Sequence, residues 1–166
     1  MADAFEEAFK LLMLNEGGYS DDPDDNGGET KYGISKKQYP RLDIKNLSLE
    51  LAREIYHRDY WRAYSCDKMP VPIGIVLFDC VVNHAPPRPA VWLQQALKVT
   101  ADGVIGPRTV AAANACKDPV EAVCDILNSR AEYVSWLHDY PKYKNGWRKR
   151  QFRTAMKAAL AWPRRP

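Results

Sequence analysis

Three residues near the N-terminus have types and spacing that could do chemistry together: Glu16, Asp25 nine residues on, and Thr30 five further. They lie in the segment "LNEGGYSDDPDDNGGETKYGIS", residues 14 to 35. Breaking a glycosidic bond requires a proton delivered to the leaving oxygen and help for a water or nucleophile at the anomeric carbon. Glu16 could donate that proton if its surroundings raise its pKa, while Asp25 stays ionised on an exposed turn. Thr30 could then hold the attacking water by its hydroxyl. Spacing alone leaves a plainer reading open, in which Glu16 is a surface acid at a helix end facing a polar turn. Calcium is the third reading, because Asp22, Asp24, Asn26 and Gly27 occupy the first, third, fifth and sixth places of an EF-hand loop. It fails at the twelfth place, where the bidentate glutamate is required and Gly33 stands.

The elements that must position these residues can be traced along the chain. Phe5, Ala8, Phe9, Leu12 and Met13 recur at helical spacing, and Gly17 with Gly18 supplies a stop, so Glu16 falls at a helix C-terminus. The segment after it is too rich in Gly, Asp and Pro for a helix. Tyr19, Tyr32 and Ile34 flank it as short extended pieces would, which predicts a small irregular β-hairpin. From Ser48 the signals turn helical: "SLELAREIYHRDYWRAY", "PIGIVLFDCVVNH", "RPAVWLQQALKV", "GPRTVAAANAC", "DPVEAVCDILNSRAEYVSWLHDY" and "NGWRKRQFRTAMKAALAW" each carry helical periodicity. The predicted class is α+β, mainly α, with about six or seven helices and one small hairpin. Residues 1–166 make a single domain by length, with lobes 1–86 and 87–166 as a subdivision at the Pro-rich break.

Composition narrows the partners. The net charge of +3 conceals a C-terminal segment, residues 141 to 166, with nine Lys or Arg and no acid. A tail of this kind suits an anionic partner such as nucleic acid, lipid headgroups or the bacterial envelope. Trp147, Phe152, Met156, Leu160 and Trp162 interleave with its cations, so its helix could dock on an anionic envelope; packing of that apolar stripe on the body is the favoured alternative. No nucleic-acid reader motif is present. Cys66, Cys80, Cys116 and Cys124 lack metal-ligand spacing and are expected to be reduced core thiols; no metal and no cofactor is expected. The N-terminus resembles an amphipathic helix more than a signal peptide, and no apolar run suffices for a membrane span, which predicts synthesis in the cytoplasm and later release to the wall. A monomer is expected.

The string "NEGGYSDDPDDNGGETKYGIS" resembles the signature of the glycoside hydrolase family 108 muramidases, phage endolysins and related secretion activators: E-G-G-Y followed by D-P-x-D-x-G-G-x-T-x-x-G-I. The similarity runs on through "FDCVVNH", then "LQQALKVTADGVIGPRT" and "YKNGW", which resemble the family's C-terminal peptidoglycan-binding region. The resemblance implies a lysozyme-like fold that cleaves the β-1,4 bond between N-acetylmuramic acid and N-acetylglucosamine in peptidoglycan glycan strands, with Glu16 as the catalytic acid. Asp25 and Thr30 follow as its partners, with Asp22 the rival second carboxylate. Gly28 should permit a close approach of sugar to backbone, and Tyr19 and Tyr32 could stack on sugar faces. Asp79 and Asn83 share one face of an apolar helix, where they should brace the hairpin or line the cleft. The rivals are a non-catalytic wall-binding protein and a lytic transglycosylase or secretion activator on the same substrate.

Overall fold

The structure is a computed structural model and describes residues 3–14, 18–21 and 28–161. Helix α1, Ala4–Met13, opens where the Asp3 side chain accepts from the Phe5 amide, and it buries Phe5, Ala8, Phe9, Leu11 and Leu12. Beyond it, Ser20 and Thr30 exchange both backbone hydrogen bonds at 2.8 Å. The strands β1, Thr30–Lys31, and β2, Ile34–Ser35, then pair antiparallel with Thr30 opposite Ser35. Between them Tyr32 and Gly33 both take positive φ, 53° and 75°, the backbone of a tight hairpin whose twist matches its strands. Gly33, at the twelfth place of the calcium alternative, is therefore a turn residue. Asp22, Asp24 and Asn26 lie outside the described residues.

Six further α-helices follow: α2 Leu49–Tyr56, α3 Val71–Asn83, α4 Arg88–Ala96, α5 Pro107–Ala115, α6 Pro119–Ser135 and α7 Tyr140–Leu160. Capping is as the sequence implies at two of them, with Ser48 accepting from the Leu51 amide and Asp118 from those of Val120 and Glu121. The segment expected as one helix from Ser48 divides, because after Tyr56 it widens into a π-helical turn, His57–Arg62. Likewise α7 starts at Tyr140, so Gly146 lies within it where the sequence suggested a start nearby.

Helix α3 is apolar on every side and buried from Pro72 to Val81, so it takes the central position, packed by α1, α4, α6 and α7. The rings of Phe5, Trp61 and Phe78 meet beside it with centroids 5.6 to 5.9 Å apart. Gly74 allows closest approach, since a Cβ there would stand 2.6 Å from the Cys66 carbonyl oxygen. Fold class is thus α+β and mainly α, with seven α-helices and one two-stranded sheet among the described residues.

Three expectations change. Asp79 does not brace the hairpin: buried in α3, it accepts from Arg130 Nη1 of α6 at 2.5 Å and Arg150 Nε of α7 at 2.9 Å. It binds two later helices instead, a link between residues 51 and 71 positions apart that no local pattern announces. Three members of the apolar stripe of α7 do not pack either, whereas Trp147 is half-buried. Phe152, Met156 and Leu160 are 69%, 65% and 74% exposed, while Thr154 and Ala158 face the core and the Lys157–Glu7 ion pair ties α7 to α1; Trp162 lies outside the described residues. Of the four free cysteines only Cys66 and Cys80 are core thiols, Cys116 being half-buried and Cys124 exposed.

Burial opposes ionisation of Asp79, but the attraction of Arg130 and Arg150 outweighs it and holds the carboxyl below its ordinary 3.8. Removing one partner of such a buried set leaves uncompensated charge, so Asp79→Ala should lower the unfolding free energy by about 3–5 kcal/mol in urea titrations. Because the folded pKa is depressed, this stabilisation is present above the unfolded value of 3.8 and is lost as pH falls below it. The wild type should show that acid-limb loss and the variant should lack it.

Candidate functional site

Of the residues expected to act, Glu16, Asp22 and Asp25 lie outside the described residues. Thr30 is half-buried at the start of β1, and its hydroxyl donates to the Gly28 carbonyl at 3.1 Å. Gly28 has φ 66°, the left-handed conformation that its lack of a side chain permits. Tyr19, 41% exposed, donates its hydroxyl to Glu29 at 2.9 Å, and that bond raises the phenol to about 12. Tyr32 is half-buried against the core, and its carbonyl accepts from the Tyr56 hydroxyl at 2.9 Å. The hairpin is thus pinned at both ends of its described part, by the Ser20–Thr30 bridge and by Tyr56.

Two hollows meet at Asn83, His84 and Ala85, at the C-terminal end of α3. One, of about 570 Å³, is walled by Tyr39, Tyr60 and Tyr64 together with Gln38 and Asp59. Here Tyr39 donates to Asp59 at 2.9 Å and Gln38 Nε2 donates to the Tyr60 hydroxyl at 3.3 Å. Burial pushes all three phenols up, Tyr39 furthest, so they present neutral hydroxyls and flat faces. Asp59 stays low because Arg58 grips it at 2.6 and 2.8 Å. Aromatic faces beside fixed polar groups suit a sugar ring.

The other hollow, of about 650 Å³, has Leu14 on its rim, two positions before Glu16 in sequence. Arg88 of α4, Arg130 and Tyr133 of α6, and Trp147, Lys149 and Arg150 of α7 line it. Asn83 belongs to both hollows; it is exposed, and its Nδ2 donates to the Asp79 carbonyl at 2.6 Å. No group of three or more His, Cys, Asp or Glu among the described residues is arranged to hold a metal ion.

Residues 9–85 match the family model described as glycosyl hydrolase 108, and residues 88–152 match a predicted peptidoglycan domain. Residues 9–85 are thus a glycosyl hydrolase 108 segment. The structure of SagA from Brucella abortus superposes with a TM-score of 0.82 at 27% identity, over 94% of this chain and 94% of that one. No curated protein matches the chain. A glycosyl hydrolase 108 segment joined to a peptidoglycan segment makes this a lysozyme-like glycosidase that acts on peptidoglycan.

The two hollows lie where these segments meet. Tyr39, Asp59, Tyr60 and Tyr64 come from the glycosyl hydrolase 108 segment, whereas the cationic wall from Arg88 to Arg150 comes from the peptidoglycan segment. Neither wall was singled out from sequence. Tyr60 and Tyr64, four apart in "DYWRAY", were a detectable hint of a shared face. Arg88 and Tyr133, whose guanidinium and ring stack at 3.9 Å, are 45 positions apart and gave none.

His84 stands where the hollows join, its ring edge-on to Trp92 and Tyr133. Burial, followed by the charge of Arg130, pushes it down from 6.5 to about 4. Proton NMR of the His84 ring should therefore show a neutral imidazole from neutrality to about pH 5, titrating near 4. Because the folded pKa is depressed, its contribution to stability is full above 6.5 and is lost as pH falls towards 4. His84→Gln should flatten that part of the stability profile.

Proposed function

We propose that the protein is an N-acetylmuramidase that hydrolyses the β-1,4 bond between N-acetylmuramic acid and N-acetylglucosamine. Glu16 protonates the glycosidic oxygen, and Asp25 with Thr30 places water on the opposite face of the sugar. The Ser20–Thr30 backbone bridge carries this reading, because it closes the chain so that Thr30 lies beside a residue only four positions after Glu16. With its proton donated to the Gly28 carbonyl, the Thr30 hydroxyl keeps lone pairs to accept from a water O–H. That water, its second hydrogen given to Asp25, would turn a lone pair to the anomeric carbon. Such a water between carboxylate and sugar makes the reaction inverting, which calls for carboxyl groups about 6.5–9.5 Å apart.

The test is digestion of purified sacculi with mass spectrometry of the soluble fragments. Reducing-end muramic acid is the expected product; anhydromuramic ends would make the protein a lytic transglycosylase, and binding without fragments a wall-binding protein. Glu16→Gln should fold normally and lose release by about a hundredfold or more, as expected for removal of a general acid. Near wild-type release by that variant would overturn the assignment. Asp25→Ala should be the milder lesion, and an unaffected rate would transfer its role to Asp22.

The exposed ridge of α7 favours docking on an anionic envelope as part of this function. Phe152, Met156 and Leu160 stand one turn apart on a helix whose segment, residues 141 to 166, holds nine cations and no acid. Sedimentation with phosphatidylglycerol vesicles, but not with phosphatidylcholine vesicles, is the expected result. The triple change to serine at these three positions should abolish it without altering digestion of purified sacculi.

A further inference from the structure

The hollow walled by Tyr39, Tyr60 and Tyr64 is ordered at the level of single hydrogen bonds. Tyr39 gives its hydroxyl proton to Asp59 at 2.9 Å, and Arg58 holds that carboxylate at 2.6 and 2.8 Å. The Tyr39 oxygen therefore faces its surroundings as an acceptor. Gln38 donates through Nε2 to the Tyr60 hydroxyl at 3.3 Å, and its Oε1 is the accepting end of the same amide. Asn83 donates through Nδ2 to the Asp79 carbonyl at 2.6 Å, and its Oδ1 is likewise an acceptor. Both amides line the hollow, each fixed by its nitrogen and able to accept through its oxygen.

Apolar surface adjoins these acceptors. Val82 stands one position before Asn83 and Pro86 three positions after it, and both line the same hollow. Tyr60 and Tyr64 are half-buried, and burial pushes both phenols up, so their rings are uncharged at neutral pH. At about 570 Å³ the hollow is of a size that takes a small molecule.

An acetamido group is complementary to this set. Its N–H donates where an amide oxygen accepts, its methyl needs an apolar cover, and the sugar ring that bears it has a C–H face that packs on a phenol ring. Both N-acetylmuramic acid and N-acetylglucosamine carry the group. A glucan, with a hydroxyl in its place, keeps a donor but has no methyl.

We propose that the tyrosine-walled hollow is a subsite for the acetamido group of an N-acetylhexosamine. The Gln38 and Asn83 oxygens accept from its N–H and from a neighbouring hydroxyl, while Val82 and Pro86 cover its methyl. This subsite rests on the reading of the substrate as a peptidoglycan glycan strand and not on which bond is cut. It extends the ligand class to β-1,4-linked oligomers of N-acetylglucosamine, which contain no muramic acid.

Calorimetric titration with tetra-N-acetylchitotetraose tests this, with cellotetraose as the ligand that lacks the acetamido group. The wild type should bind chitotetraose, and cellotetraose at least about tenfold more weakly, as expected for loss of a buried methyl with its polar contact. Gln38→Leu removes an exposed amide and should weaken chitotetraose binding on the order of tenfold. Tyr64→Ala should weaken it by a similar factor through loss of the ring face. Circular dichroism melts establish that both variants fold. No binding of chitotetraose by the wild type, equal affinity for the two oligomers, or unchanged affinity in either folded variant would overturn the subsite. Digestion of sacculi by the same preparations separates the two readings. Release of muropeptides without chitotetraose binding refutes the subsite alone, whereas the expected binding pattern in a protein that releases no fragments refutes the muramidase reading alone.

Discussion

The carboxylate of Asp79, enclosed within the central helix, accepts from Arg130 and Arg150, and through these two bonds the three longest helices of the fold are held in one arrangement. Gln151 Nε2 of α7 adds a further tie by donating to the Leu127 carbonyl of α6 at 2.9 Å. An ion set of this kind adds little net stability relative to a well-packed apolar core, yet it is expensive to break. In this fold the three charges also set the register of α7 against α3, and α7 carries much of the cationic wall that faces solvent.

The position of the ion set has a direct consequence for the cleft. Arg130 and Arg150 are both part of the wall of the larger hollow and partners of a carboxylate behind it. The wall is therefore anchored from within, and Asn83, which closes the same turn of α3 by donating to the Asp79 carbonyl, stands at the junction of the two hollows. On the far side, Tyr56 holds the hairpin through the Tyr32 carbonyl while its own ring packs on Phe78 of α3. Both walls of the cleft thus depend on α3. A second polar network, with the buried Gln94 donating to Asp102 and the Val104 carbonyl and accepting from the Gly103 amide, fixes the turn between α4 and α5 in the same way. The helix that follows was legible in "GPRTVAAANAC", but the buried organiser of the turn before it was not.

Much of the fold was visible in the chain itself. The stop after α1, the caps at Ser48 and Asp118, the apolar run of α3 and the Gly-rich hairpin each follow from short-range rules, since a cap, a turn or a 3.6-residue period is decided within a few positions. The motif around Glu16 was legible for the same reason, and so was the family. The π-helical turn after Tyr56 was not, because nothing in "HRDYW" forbids an ordinary helix; packing of Trp61 against Phe5 and Phe78 accompanies the wider turn. Phe152, Met156 and Leu160 mislead for the opposite reason. Helical spacing identifies a face but carries no statement of whether another element covers it, and here α7 turns Thr154 and Ala158 inward.

What the sequence by itself determined, then, is the local order: the helices, the hairpin and the glycosyl hydrolase 108 segment. Only the tertiary structure decided which side chains share a cleft. Arg88 with Tyr133, Asp79 with Arg150, and Tyr39 with Asp59 are separated by 45, 71 and 20 positions. Contacts at such range leave no period in the chain, because they are chosen by how whole helices pack. The chemistry of a single residue is written where it stands, whereas the charge of a wall is a sum over elements brought together from the whole length of the protein.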